Sequence, residues 1–190
     1  MEDRGTVLKK DVSIANVTID REAYPKRWYV ARVQMKCEKK SAQKISSLGY
    51  ETFVPVQEEI HQWSDRKKKI ERILIPLVVF FRTNESGAKQ VERLSFVYDL
   101  LKAPGDRTPA VIPDKQINDF KFMIGNCDSE ITIEPTPIIA GDEVIVVRGS
   151  LRGLQGRAVT SSDSKSKIYI TLDILGCASV EIKHSDLEKI

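Results

Sequence analysis

Few residues in this chain could do chemistry at a catalytic centre. It has two histidines, His61 and His184, and three cysteines with no C-x-x-C spacing among them. Metal cages and histidine-based triads draw on several such residues at close spacing, so we expect no metal site, no cofactor and no enzymatic activity. Asp142 and Glu143 are adjacent carboxylates, but strand neighbours point to opposite faces and cannot form a paired acid–base site. The residue types favour a binding protein over an enzyme.

The size and composition are those of an ordinary globular protein. The chain has 190 residues, 41% hydrophobic and 30% charged, which suits one domain or two small ones. No run of 18 apolar residues occurs, and no apolar signal-peptide core follows the first residues. An odd number of cysteines argues against a disulfide framework. We therefore expect a cytoplasmic protein that does not contact a membrane.

Positive charge is concentrated in the middle of the chain. The net charge is only +3, yet residues 26–129 hold 19 basic and 13 acidic side chains. Such a segment favours a nucleic-acid partner, although lysine clusters are also common on ordinary solvated surface. Both interpretations are open at this point. Two groups carry much of the excess, namely Lys36, Lys39, Lys40 and Lys44, and then Arg66, Lys67, Lys68, Lys69 and Arg72.

The apolar patterns between residues 26 and 125 predict an α+β sandwich. Residues 1–25 before it show no persistent period and are expected to be a flexible extension. The last helix has an apolar face at Ile117, Phe120 and Ile124. The predicted elements are strand 27–33, helix 37–48, strand 50–56, strand 70–81, helix 86–94, strand 97–101 and a helix that begins at Pro113.

The predicted strand over residues 70–81 is apolar on both faces. Strand parity places Val78 and Phe80 on one face, and Leu77, Val79 and Phe81 on the other. One set is expected to fill the core beneath the helices. The other set is either covered as well or left exposed as a binding surface. We adopt the hypothesis that it is exposed and binds a partner.

A second unit follows the best candidate for a linker, residues 126–137. From residue 138 to 190, short and closely spaced strands predict a small closed β-barrel. Gly149, Gly153 and Gly156 are expected to supply the backbone angles and the close strand approach that its corner requires. A phosphate-binding loop is not expected, because neither a helix nor Lys-Ser/Thr follows these glycines.

The first unit resembles the N-terminal NGN domain of the NusG family. Arg27–Val30 is similar to that domain's opening Trp-Tyr strand, and residues 109–114 to the proline-rich segment before its last helix. Residues 71–79 are similar to the family's strand around Phe-Pro-Gly/Asn-Tyr. Leu77 stands there in place of the usual glycine or asparagine, and Val78 in place of the aromatic residue.

The second unit resembles the KOW domain of the same family. Gly141–Gly156 is similar to the KOW motif, and Gly176 with Val180–Ile182 to its closing strands. The resemblance covers residues 27–190 with the elements in the right order. It implies an NGN-type antiparallel sheet with flanking helices over residues 26–125, and an SH3-like KOW barrel over residues 138–190.

The resemblance also implies a transcription elongation factor that catalyses nothing. In this family the NGN domain binds the clamp helices of the largest RNA polymerase subunit through an apolar patch and runs beside upstream or non-template DNA. The KOW domain contacts a ribosomal protein or Rho, and leader RNA is a further candidate partner. We expect a monomer. The candidate polymerase contacts are Ile75, Pro76, Val78, Phe80 and Phe120, and the candidate nucleic-acid contacts are Lys36, Lys39, Lys40 and Lys44.

Within the family, the chain looks most like the specialised UpxY-type antiterminators of capsular polysaccharide operons. The features that suggest this are the extension before Trp28, the aliphatic strand around Pro76 and the short spacing between the two units. A general housekeeping elongation factor is the first alternative. A KOW-type module that binds RNA or the ribosome without polymerase is the second.

Overall fold

The computed structural model describes residues 25–62, 67–135, 141–162 and 164–190. The predicted N-terminal extension therefore lies almost wholly outside the described residues, and so does Arg66 of the second basic group. Within those ranges, none of the helices is long and apolar enough to cross a membrane.

The first half of the chain alternates short strands with three helices. Trp28, Val30 and Ile45 are among the buried apolar side chains whose spacing produces these elements. The predicted helices and the first strand are confirmed to within a few residues. In chain order the elements are β1 Arg27–Val33, α1 Glu38–Ser46, β2 Glu51–Phe53, β3 Val56–Gln62, β4 Lys67–Ile73, β5 Val78–Thr83, α2 Glu85–Glu92, β6 Val97–Leu100 and α3 Asp114–Asn126.

Four of these strands form an antiparallel sheet in the order β2-β5-β1-β6, which we call the first sheet. Helices α1 and α2 pack on one face, where Val79 and Phe81 of β5 are buried. Helix α3 contributes Phe120 to the buried cluster on the other face, which contains Val78 and Phe80. The first sheet is thus the middle layer of a helix–sheet–helix sandwich, as the α+β prediction requires.

The predicted single strand over residues 70–81 is wrong, because the chain forms two strands there. Strand β4 pairs only with β3 in a separate two-stranded hairpin, whereas β5 joins the first sheet. A turn at Pro76 and Leu77 divides them, and Leu77 adopts a left-handed backbone with φ of 66°. Proline cannot donate a ladder hydrogen bond, and a left-handed residue reverses the chain direction. Hydrophobicity alone did not reveal this break.

The second half of the chain forms a six-stranded antiparallel sheet, the C-terminal sheet, in the order β12-β8-β9-β10-β11-β7. Among the described residues, the two outer strands β7 and β12 pair with a neighbour on one side only, so the predicted closed barrel is not formed by hydrogen bonding. Both outer strands are only three residues long. The strands are β7 Thr132–Glu134, β8 Asp142–Val146, β9 Gln155–Ser162, β10 Lys165–Thr171, β11 Cys177–Lys183 and β12 Leu187–Lys189.

Two glycines lie in the turn that precedes β9, and a third, Gly156, is the second residue of β9. Gly149 and Gly153 have φ of 84° and 93°, which side chains other than glycine rarely adopt. A Cβ on Gly156 would lie 2.5 Å from the Tyr169 carbonyl oxygen of the neighbouring strand β10. The left-handed backbone thus occurs at Gly149 and Gly153 and the close strand approach at Gly156, and their role at a barrel corner stays a prediction.

The two halves share one buried apolar cluster. It runs from Phe80 of the first sheet through Phe120 of α3 to Val146, Ile168 and Val180 of the C-terminal sheet. Helix α3 contacts β10 directly. The C-terminal sheet therefore packs against the N-terminal half instead of being held by the chain alone.

The segment that joins the halves is anchored by the base of the β3–β4 hairpin. Gln57 is 5% exposed, and its Nε2 donates to the Ser129 carbonyl oxygen at 2.7 Å while its Oε1 accepts from the Ile131 backbone N–H at 3.1 Å. Arg72, which faces Gln57 across the hairpin, donates from Nη2 to the Ile131 carbonyl oxygen at 3.0 Å. Strand β7 begins at the next residue. The predicted linker 126–137 is thus partly ordered as a connector and a strand.

Removal of the Gln57 amide should loosen this connector. In Gln57→Ala, the Ser129 carbonyl and the buried Ile131 N–H lose a partner, so we expect the free energy of unfolding to fall by about 2 kcal/mol. Chemical denaturation measures this. Glu58→Ala, on the exposed neighbour that pairs with Lys69, is the matched control and should change stability little.

Cys127 provides a local readout of the same change. Burial raises the pKa of its thiol, so the thiol stays protonated and reacts slowly at neutral pH. Iodoacetamide labelling of Cys127, followed by peptide mass spectrometry, should be faster in Gln57→Ala than in the wild type. Equal labelling rates and equal stability would show that Gln57 does not hold the connector.

The close approach at Gly156 gives a second prediction. In Gly156→Ala the new methyl group would overlap the backbone of β10, so we expect a loss of about 1–3 kcal/mol in the free energy of unfolding. Gly125→Ala is the control, because a Cβ on Gly125 of α3 meets nothing within 4 Å, and alanine favours helix. Thermal unfolding of both variants checks this, and equal midpoints would contradict the expected overlap.

Candidate functional site

The predicted polymerase contacts are mostly buried. Ile75 and Val78 are 8% and 5% exposed, while Phe80 and Phe120 are 0% exposed. Only Pro76 of this set lies on the surface. The hypothesis that one face of this strand is left uncovered is therefore wrong, because helix α3 packs on the face that carries Val78 and Phe80.

Aromatic packing explains why these residues cannot reach a partner. The ring of Phe53 on β2 lies 5.7 Å from that of Phe80 and 6.0 Å, edge to face, from that of Phe120. Full burial of one such side chain stabilises a fold by about 1.5–3 kcal/mol. The buried members of the predicted set thus act as core that supports the surface above them.

The four predicted lysines share one exposed face of α1 and of the turn before it. Lys36, Lys40 and Lys44 recur at intervals of four, and Lys39 lies beside them, so they cover adjacent turns of the helix. All four are exposed. The structure therefore brings together the residues that the sequence proposed as a basic surface.

The four lysines differ in what they contact within the chain. Lys39 pairs with Glu71 of the hairpin, and the Lys44 ammonium lies 4.7 Å from the centre of the Phe96 ring. Lys36 and Lys40 form no ion pair with any residue in the described ranges. Two positive charges on this face are therefore available to a partner without breaking an internal contact.

An ion pair that the sequence did not indicate joins β1 to β6, an edge strand of the first sheet. Arg32 of β1 donates from Nε to Asp99 Oδ1 of β6 at 2.6 Å. This hydrogen bond lowers the pKa of the Asp99 carboxyl below its ordinary value. The stabilising contribution is present above the ordinary pKa, about 4, and is lost as the pH falls through the lower folded value.

Several residues that position this half of the molecule gave no sequence signal. Gln57 and Arg72 anchor the connector, whereas the sequence marked only Arg72, as a member of the second basic group. Lys121 of α3 spans the side chains of β1 and β2, with its ammonium 4.4 Å from the Trp28 ring centre and 2.9 Å from Glu51 Oε1. Their partners are distant in sequence, so only the fold reveals these contacts.

The described residues hold no group of three or more histidine, cysteine, aspartate or glutamate side chains that could bind a metal ion. What the site offers is a set of surfaces: a basic helix face, and beside it the turn at Pro76. Surfaces of this type bind macromolecules.

Solved structures with a similar chain path include NusG and Spt5 proteins. One, described as domain interaction in Thermotoga maritima NusG, is 19% identical with a TM-score of 0.48, and the match covers 87% of this chain and 97% of that one. The MjSpt4:Spt5 complex in conformation A is 12% identical with a TM-score of 0.29, covering 86% of this chain and 97% of the other. Conformation B of that complex is 13% identical with a TM-score of 0.31, covering 86% and 96%.

The comparison with curated proteins found no match. A family model does match: the one described as transcription termination factor nusG covers residues 26–121, half of the chain. This range includes the whole first sheet, the hairpin, helices α1 and α2 and the first part of α3. The chain therefore belongs to the NusG family.

Proposed function

We propose that this protein is a transcription elongation factor that binds RNA polymerase through its N-terminal half and promotes processive transcription of particular long operons. The observation that carries the proposal is the family match over residues 26–121, since NusG proteins are transcription factors and not enzymes. The expected target operons encode capsular or other surface polysaccharides, as for UpxY-type antiterminators.

Two features support the specialised role over a housekeeping one. The family's usual glycine or asparagine after the proline is Leu77 here, so the chain departs from the common pattern at the turn before β5. The connector between α3 and β7 is also short, from Cys127 to Ile131, and its end is hydrogen-bonded to the hairpin.

The C-terminal sheet is proposed to be the KOW domain, with a ribosomal protein or Rho as its partner. The support is local: Gly149 and Gly153 have left-handed backbones, and Gly156 lies against the backbone of β10, at the positions that resemble the KOW motif. Among the described residues, its outer strands β7 and β12 each pair with one neighbour only, and this is where we propose that another protein binds.

The predicted set of polymerase-contacting residues needs revision, because most of its members are buried. Contact through Val78, Phe80 or Phe120 would require α3 to leave the sheet, with the loss of a large buried apolar surface. We propose instead that these residues and Ile75 form the core beneath the binding surface. Pro76 is then the member of the set that reaches the partner.

The basic face of α1 is proposed to contact the backbone of upstream or non-template DNA. Phosphate contacts are long-ranged, weaken with salt and carry no sequence preference by themselves. Lys36 and Lys40, which form no ion pair with another residue of the described ranges, should contribute most, because Lys39 and Lys44 already have internal partners.

Replacement of Lys36, Lys39, Lys40 and Lys44 by glutamine should lower crosslinking of the protein to DNA in a reconstituted elongation complex several-fold. The residual signal should depend less steeply on salt concentration, since fewer counterions are released. A double Lys89→Gln, Lys115→Gln variant is the control, because both lysines form i,i+4 pairs on other helices. Crosslinking equal to the wild type would remove the DNA role from this face.

In vitro transcription tests the proposed function directly. On a template from a long surface-polysaccharide operon, the protein should increase full-length transcript over that of polymerase alone, with no effect on an unrelated operon. An equal effect on both templates would favour the housekeeping role. Binding to ribosomal RNA in the absence of any binding to polymerase would contradict the proposal and favour an RNA-binding module.

A further inference from the structure

A cleft of about 750 Å³ lies between the start of β2, the end of β5 and the start of α2. Four of the residues that line it are basic, namely Lys26, Arg82, Lys89 and Arg93, and one, Glu51, is acidic. The lining therefore has four positive charges against one negative charge. Its volume lies within the range of clefts that bind small molecules. We call it the cationic cleft.

One wall of the cationic cleft is closely packed. A Cβ on Gly87 of α2 would lie 2.0 Å from Thr83 Oγ1 and 2.9 Å from the Tyr50 hydroxyl oxygen, so only glycine lets the helix approach these side chains. The Tyr50 hydroxyl donates to Gln90 Oε1 at 2.7 Å, and Thr83 is 2% exposed. The wall is thus held by close contacts and a hydrogen bond, which fixes the shape of the cleft.

The guanidinium of Arg82 is held in one orientation in this cleft. Its Nη2 donates to Asp114 Oδ2 at 2.9 Å. Its Nη1 lies 3.9 Å from Glu51 Oε2, which is longer than a hydrogen bond, and its Nε has no hydrogen-bond partner among the described residues. The fold therefore uses only part of the five donors that an arginine side chain offers.

The remaining positive charges also exceed what the fold pairs internally. Lys26 and Arg93 are exposed and form no ion pair within the described residues. Lys89 pairs with Glu85 at 2.7 Å, but this is an exposed pair of the kind that contributes little. Because like charges around one cleft repel one another, a bound anion would relieve this repulsion.

The N-terminus of α2 is not the source of this positive charge. The Gly87 backbone N–H already donates to Asn84 Oδ1 at 2.9 Å, and Glu85 places a negative charge in the first turn of the helix. Recognition of an anion would therefore depend on lysine and arginine side chains, whose charges can be removed one at a time.

From these observations we propose that the cationic cleft binds a small organic molecule that carries two or more linked phosphate groups. Two such groups carry roughly three negative charges at neutral pH, which balances the excess charge of the lining. A guanidinium matches phosphate oxygens with paired hydrogen bonds, and an ammonium group adds charge without a fixed geometry. None of the four lysines on the basic face of α1 lines this cleft, and the inference does not rest on the proposed function.

A small diphosphate fits the cationic cleft better than a larger anionic partner does. A nucleic-acid strand spreads its charge along its length, one phosphate per nucleotide, whereas here the basic side chains surround a single cleft. An acidic peptide has one charge on each carboxylate, so several of its side chains would have to converge in the same space. Linked phosphates bring the same charge in a few atoms.

Calorimetric titration of the full chain, without polymerase, tests this inference. The probes are ADP, AMP and adenosine, which share one organic part and differ in the number of phosphates. We expect Kd for ADP to be at least tenfold lower than that for AMP, with no binding of adenosine. Citrate, which concentrates carboxylates in a small molecule, should bind at least tenfold more weakly than ADP.

Substitution of the two residues that form no ion pair locates the site. Arg93→Gln and Lys26→Gln should each raise Kd for ADP at least threefold, and the double variant at least tenfold. The thermal midpoint without ligand should stay unchanged, because neither side chain has an ion pair to lose among the described residues. Arg152→Gln, at an exposed arginine of the C-terminal half that does not line the cleft, is the matched control and should stay within twofold.

Each other outcome overturns the inference. Absence of saturable ADP binding, or equal affinities for ADP and citrate, would rule out a phosphate site. Unchanged affinity in the Arg93→Gln, Lys26→Gln double variant would place any binding elsewhere. If an oligothymidylate of about ten nucleotides displaces ADP and binds more tightly than ADP does, the cleft serves a nucleic-acid strand. Because no polymerase is present, none of these results bears on the proposed function, and failure to bind polymerase would leave the cleft assignment intact.

Discussion

The first sheet has apolar side chains on both faces, and each face has to be removed from water. Val79 and Phe81 are covered by α1 and α2, and Val78 and Phe80 by α3. Because α3 is itself apolar on its inner side and lies against the C-terminal sheet, one cluster extends through both halves of the molecule. The arrangement of the chain follows from covering this one strand twice.

That constraint determines which residues can meet a partner. A residue with no exposed surface, such as Phe120, contributes to binding only by supporting what lies above it. Polar and apolar groups at the rim of the sheet remain free: the basic face of α1 and the turn at Leu77. Glu38 is buried beneath this turn and accepts a hydrogen bond from the Leu77 backbone N–H, so the conformation of the turn is held by a specific contact.

The connector shows how local polar contacts complete this arrangement. Ser129 and Ile131 have backbone groups that neither a helix nor a sheet ladder satisfies, and Gln57 supplies a donor and an acceptor at the right spacing. Strand β7 then begins immediately and pairs with β11. The connector is thus hydrogen-bonded to the base of the hairpin, and the strand that follows it is part of the C-terminal sheet. This links the position of the hairpin to that of the C-terminal sheet.

The sequence determined the elements whose signals are local. Ile117 and Phe120, predicted for the inner face of α3, are buried, whereas the predicted Ile124 is only partly buried and Met123 is buried beside them. The helical period and the left-handed backbones at Gly149 and Gly153 depend on neighbours within a few positions. The same holds for the clustering of the lysines on α1, because helical spacing alone places them together. The membership of the family likewise follows from the order of such local patterns.

Only the tertiary structure decided which apolar residues are exposed. A run from Ile70 to Phe81 has the same hydrophobicity whether it forms one strand or two, and whether a helix distant in sequence covers it or not. The break at Leu77, the burial of Phe80 beneath α3, and the hold of Gln57 on Ile131 all depend on segments dozens of residues apart. Exposure is a property of what packs against a residue, and no local pattern carries that information.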